Sequence, residues 1–186
     1  MKKQSRKADK KKGSTTSPYR WAITVFCMAV ALSAVLTLVS QSTLEGADIA
    51  VALLILALFI GLGILFDIIG VATTAADHRP FHSMAAHKEK GARESLYLLR
   101  NASRVSSVCN DVVGDICGIV SGATGAVIVT QLQQAFNTRN VLISVGVTAL
   151  VSGLTIGGKA LSKTFAMKQS TRVVYLVGRV LSVFHR

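Results

Sequence analysis

Four runs of apolar residues alternate with charged stretches along the chain, at positions 21–39, 49 to about 76, about 112–129, and 141–156. Each reaches or approaches the roughly 20 residues that a helix needs to cross about 30 Å of hydrocarbon. The pattern predicts an all-α, polytopic membrane protein with four transmembrane helices. Between the second and third runs the chain turns hydrophilic. There Pro80 marks a break and residues 84–100 read as a juxtamembrane helix, with Glu89 and Arg93, and Lys90 and Glu94, at the i,i+4 spacing of ion pairs. After the fourth run Arg172, Arg179 and Arg186 recur every seven residues among aliphatics. That spacing predicts a second juxtamembrane helix over about 171–185, with arginines along one side and an apolar remainder suited to the interface or to a partner helix.

Composition and charge sharpen this picture. The 186 residues are 51% hydrophobic, yet the formal net charge is +12, which separates apolar spans from basic flanks. Lys and Arg in short loops stay on the cytoplasmic side. With four spans and both termini inside, 20 of the 21 Lys and Arg fall in the cytoplasm, Arg139 excepted. The expected localisation is therefore the cell membrane, multi-pass, with cytoplasmic termini. A cleaved signal peptide is the rival reading of the first run, but its apolar stretch is longer than a usual signal core and no clear A-x-A site follows. Cleavage would not invert the remaining spans.

Residues 1–20 form a basic, low-complexity tail that cannot bury enough apolar surface to fold alone. It suits anionic lipid headgroups, at about 1 kcal/mol per nearby cation. No aromatic platform accompanies it, so no nucleic-acid partner is expected. Cys27, Cys109 and Cys117 make an odd set within or beside apolar runs and read as small packing residues. The spacing of His78, His82 and His87 matches no zinc signature. Gly114, Gly118 and Gly122, and Gly153 with Gly157, form small-xxx-small steps that suit close helix packing within the chain or across a homodimer.

Candidate chemistry lies inside the spans. Asp67 is the only charge between residues 50 and 76. A charge at that depth costs about 2.5–3.5 kcal/mol and turns toward a protein interior or wet cavity. Asn110 and Asp111 open the third run, and Asp115 follows Asp111 at i+4, on the same helical face. Carboxylate and amide oxygens suit hard cations, Mg²⁺ above all where waters are retained. The alternative is structural, with Asp67 or Asp115 pairing with Lys159 or Lys163. No nucleophile–base pair or phosphate loop points to an enzyme.

Three stretches carry a resemblance: FDIIGVATTAAD (66–77), KEKGARESLYLLRNASRVSSVCNDVVGD (88–115) and GKALSKTFA (158–166). In order and spacing they resemble the transmembrane domain of the cyclin M and CorC magnesium transporters, also called domain of unknown function 21. The likeness covers about 47–186, and the span at 21–39 is an addition. It implies a dimeric domain that binds Mg²⁺ on its cytoplasm-facing side. Asn110 matches the first asparagine of the family's Gly-Asn-Asn signature and Gly158 the glycine of its last motif. Asp67 stands for a serine and Asp111 for the second asparagine, while Gly70 and Lys159 replace the family's two glutamates and Ser162 its proline. The implied metal-site residues are thus Asp67, Asn110, Asp111, Asp115 and Gly158. The alternative is an accessory membrane protein whose site has degenerated around Lys159. Without the regulatory domains that follow in the family, nucleotide sensing of the usual kind is not expected.

Overall fold

The computed structural model describes residues 18–44, 46–137 and 141–184, and these are all-helical. Most of the basic tail expected over 1–20 lies outside the described residues, as do Arg139 and Arg186. In chain order the helices are α1 (Pro18–Leu44), α2 (Ile49–Ala75), α3 (His78–Ala86), α4 (Ala92–Arg100) and α5 (Ala102–Ser106). A π-helical segment (Ser107–Gly114) then leads into α6 (Asp115–Ala135), followed by α7 (Val141–Lys168) and α8 (Ser170–Phe184). Four continuous helical stretches, Tyr19–Leu44, Ile49–Ala75, Ala102–Ala135 and Val141–Lys168, are long and apolar enough to cross a membrane.

Three of the four spans are longer than their apolar runs. The third starts at Ala102 instead of about 112, because Asn110 and Asp111 enter the helix through its π-helical turn without breaking it. The fourth continues past Ile156 to Lys168, so Gly158, Lys159, Ser162 and Lys163 belong to α7 itself. Hydropathy falls at these polar residues, but the backbone ladder tolerates them wherever their side chains find partners or solvent.

The hydrophilic connection differs from its expected single helix over 84–100. Asp77 caps α3 by accepting the Arg79 N–H at 3.1 Å. Pro80 then sits in the first turn, where its missing N–H costs nothing. The break comes later, at residues 87–91, where Lys88 (φ 55°) and Gly91 (φ 87°) both adopt left-handed conformations. Because Glu89 and Lys90 lie in this turn, the two i,i+4 ion pairs expected from the sequence do not form.

Three apolar clusters run along the bundle. At one end Leu44, Ala52, Leu56, Ile128 and Val151 pack together. In the middle Phe59 meets Val112, Ile116, Cys117 and Val120, with Val25, Ala29, Leu32 and Leu36 of α1 laid against them. At the other end Phe81, Leu96, Leu99 and Val174 from α3, α4 and α8 close over Ala72, Ala76 and Ala166. The third span is the most enclosed of the four and α1 the least. Arg104 stacks over the Trp21 ring at 5.2 Å, which ties the start of α1 to α5.

The glycine steps divide. Gly114 packs against the Cys109 carbonyl and the Lys159 side chain, whereas Gly118, Gly122, Gly153 and Gly157 have no described neighbour within 4 Å of a built Cβ. Packing within the chain therefore accounts for Gly114 alone. Cys109 and Cys117 are buried, Cys27 is exposed, and all three are free thiols.

Candidate cation site

The buried positions of α2 are Ala52, Leu56, Phe59, Gly63, Asp67, Gly70, Ala72 and Thr73. From Ala52 to Gly70 they recur at steps of three and four, which places them on one seam of the helix. Asp67 occupies that seam between two glycines, so its carboxyl group is carried into the bundle and is only 4% exposed. The Ser162 hydroxyl from α7 donates to Asp67 Oδ2 at 3.0 Å and also lies 2.7 Å from the Lys159 carbonyl. A hydroxyl has one proton, so the two acceptors share it. That is thin solvation for a carboxylate in a span.

One turn along the seam, Gly70 receives Asn110 from the π-helical segment. The two approach so closely that a Cβ on Gly70 would overlap the Asn110 side-chain oxygen. Asn110 Nδ2 donates to Ser106 Oγ at 3.2 Å, while Asn110 Oδ1 is buried without a hydrogen-bond partner. An unsatisfied buried acceptor costs about 1–3 kcal/mol, and π-helical turns gather at functional sites. The contact also requires a glycine at position 70. With Asn110 in place there is no room for a side chain.

The other expected residues fall elsewhere. Asp111 is exposed, and Asp115, with its side chain 69% exposed, meets Lys159 Nζ at 3.9 Å. Lys159, 25% exposed at its side chain, also donates to the Gly114 carbonyl at 3.4 Å. The expected lysine pairing thus reaches Asp115, whereas Asp67 takes Ser162 as its partner. Gly158 faces Ile64, whose Cδ1 a Cβ would overlap, so its close approach serves helix packing between α7 and α2. Among the described residues no three His, Cys, Asp or Glu gather as a metal group, and His78, His82 and His87 are all exposed. The structure therefore groups Asp67 with Ser162 and sets Asn110 against Gly70, one turn along the α2 seam, leaving Asp111 and Asp115 at the surface.

Two polar partners were not expected from the sequence: Ser106, and Ser162, which was noted only as standing where the family has a proline. Extending the fourth helix past Ile156 would have exposed Ser162 as a hydroxyl three residues from Lys159. Asp115→Asn is expected to change stability by less than about 0.5 kcal/mol, since an exposed pair at this distance contributes little. A loss above about 1.5 kcal/mol in thermal unfolding would show instead that Lys159 depends on this partner. Compared with known proteins, the chain matches no family model, no curated protein and no solved structure.

Proposed function

We propose that the chain is a multi-pass membrane protein that binds a hydrated divalent cation, Mg²⁺, in the manner of the cyclin M and CorC transporters, with both termini cytoplasmic. The orphaned amide oxygen of Asn110 carries this reading. A buried acceptor with no protein donor, held one turn from a thinly solvated carboxylate, is an arrangement that a cation's water shell would complete. Asp67 supplies charge, Ser162 orients it, and Asn110 accepts a bound water. Asp111 and Asp115 contribute only negative potential at the mouth.

The second reading is an accessory membrane protein without transport. The Lys159 ammonium on the Gly114 carbonyl and Asp115 favours it, because a tethered cation already stands near the site. Titrating MgCl₂ into the detergent-purified full chain separates the two. The first reading expects a Mg²⁺-dependent rise in melting temperature, equivalent to about 2.7 kcal/mol at a hundredfold excess over Kd. Asp67→Asn combined with Asn110→Ala abolishes that rise. An equal rise in wild type and double variant would sink the site, and no rise in either favours the accessory reading.

A further inference from the structure

The turn that parts α3 from α4 leaves a cavity of about 390 Å³ between residues 85–94 and the last turns of α8. Lys88, Glu89 and Lys90 line it from the turn, Arg93 and Glu94 from the first turn of α4, and Val183 from α8. A continuous helix would have set these charges against one another in pairs. The left-handed residues Lys88 and Gly91 instead spread them around a shared space, and none of the five forms an ion pair among the described residues. Three cations and two carboxylates thus line one solvent-open cavity without pairing with one another.

A bare phosphate would answer the cations and leave two carboxylates opposing it. A metal ion would meet the reverse conflict. A group carrying both a phosphate and a primary amine answers both signs through charge-assisted hydrogen bonds. The surroundings indicate where that group comes from. Only Gln169 separates α7 from α8, so α8 starts where a spanning helix ends. Its exposed side carries Leu176, Val180 and Val183 beside Arg172 and Arg179. Aliphatics flanked by arginines suit the boundary between acyl chains and headgroups.

We propose that this cavity holds the headgroup of an aminophospholipid, with the phosphate on Lys88, Lys90 and Arg93 and the amine on Glu89 and Glu94. The proposal rests on the helices crossing a bilayer and is independent of the cation site. Native mass spectrometry of the detergent-purified full chain would compare retention of phosphatidylethanolamine, phosphatidylglycerol, which lacks the amine, and phosphatidylcholine, whose amine has no N–H. Phosphatidylethanolamine is expected to be held about tenfold more tightly than either. Glu89→Gln with Glu94→Gln should remove its advantage over phosphatidylglycerol, and Lys88→Gln with Arg93→Gln should weaken retention of all three. Unchanged helicity by circular dichroism qualifies each variant, and if the basic pair unfolds, the acidic pair alone decides. Equal retention of the three lipids by wild type, or strongest retention of phosphatidylglycerol, would overturn the assignment. Displacement of the lipid by equimolar soluble phosphoethanolamine would overturn the lipid source.

Discussion

Alanine at Gly91 is expected to destabilise the fold by about 3 kcal/mol, and alanine at Gly178 by about 2 kcal/mol, because both glycines sit where α4 crosses α8. Gly91 has φ 87°, and a Cβ built there lies 2.7 Å from the backbone N and Cα of Arg179. Left-handed backbone costs a residue with a Cβ about 1–2 kcal/mol, and overpacking adds about 1–3 kcal/mol. At Gly178 a Cβ would overlap Ser95 Oγ and stand 2.7 Å from the Gly91 carbonyl. Ser95 is fully buried, and its hydroxyl binds the Gly91 carbonyl at 2.8 Å and the Val174 carbonyl at 3.2 Å, so the intruding methyl would also break the link that joins the two helices. Thermal unfolding in detergent, followed by helicity, measures the loss. Gly118→Ala is the control, since a Cβ there meets no described atom within 4 Å and helix propensity favours it by about 0.5–1 kcal/mol. If Gly178→Ala were as stable as Gly118→Ala, the crossing would carry none of the stability assigned to it.

That crossing shows where sequence reasoning reaches and where it stops. Apolar length was enough to find the four helices long and apolar enough to cross a membrane, because crossing a bilayer is a one-dimensional requirement that each segment meets alone. The arginine heptad likewise marked α8 to within a residue or two of Ser170–Phe184. The turn at residues 87–91 escaped because Lys88 and Glu89 look like ordinary helix formers, yet Lys88 takes the left-handed position usual for glycine and the Glu89 N–H donates back to the Met84 carbonyl at 3.0 Å. Gly91 was the visible signal. It stands inside the expected helix, where a glycine costs about 1 kcal/mol unless something requires it.

At the candidate site the division is similar. Asp67 was legible as a lone charge whose position in the run demanded a polar neighbour. Its partner was not, because Ser162 lies 95 residues away, beyond the end of the fourth apolar run. The face shared by Asp111 and Asp115 suggested an acidic cluster beside Asn110, but that face is the exposed one. Both carboxylates end at the surface, and Asn110 alone turns inward. Periodicity fixes which residues share a helical face, but the packing of neighbouring helices decides which face is buried.

Gly70→Ala is expected to weaken Mg²⁺ binding by about 10- to 100-fold without removing any group that would touch the cation. The added methyl occupies the space of the Asn110 side chain, which must swing away with its bond to Ser106. A displaced supporting residue commonly costs a metal site that much affinity. Gly158→Ala is the matched comparison, because its methyl meets only the Ile64 side chain, at Cδ1 and Cγ1, and no polar group. Under the proposed function Gly158→Ala keeps near wild-type affinity, although the family resemblance marks Gly158 as part of the site. Ser162→Ala should fall between the two. It deprives buried Asp67 of its hydroxyl donor, a loss of about 1.5–3 kcal/mol for a charged acceptor, which a bound cation would partly offset. Calorimetric titration of the three variants orders them as Gly158→Ala, Ser162→Ala and Gly70→Ala from tightest to weakest. Equal affinity for Gly70→Ala and wild type would remove Asn110 from the site. Equal weakening by Gly70→Ala and Gly158→Ala would point to general loosening of α2 against its neighbours.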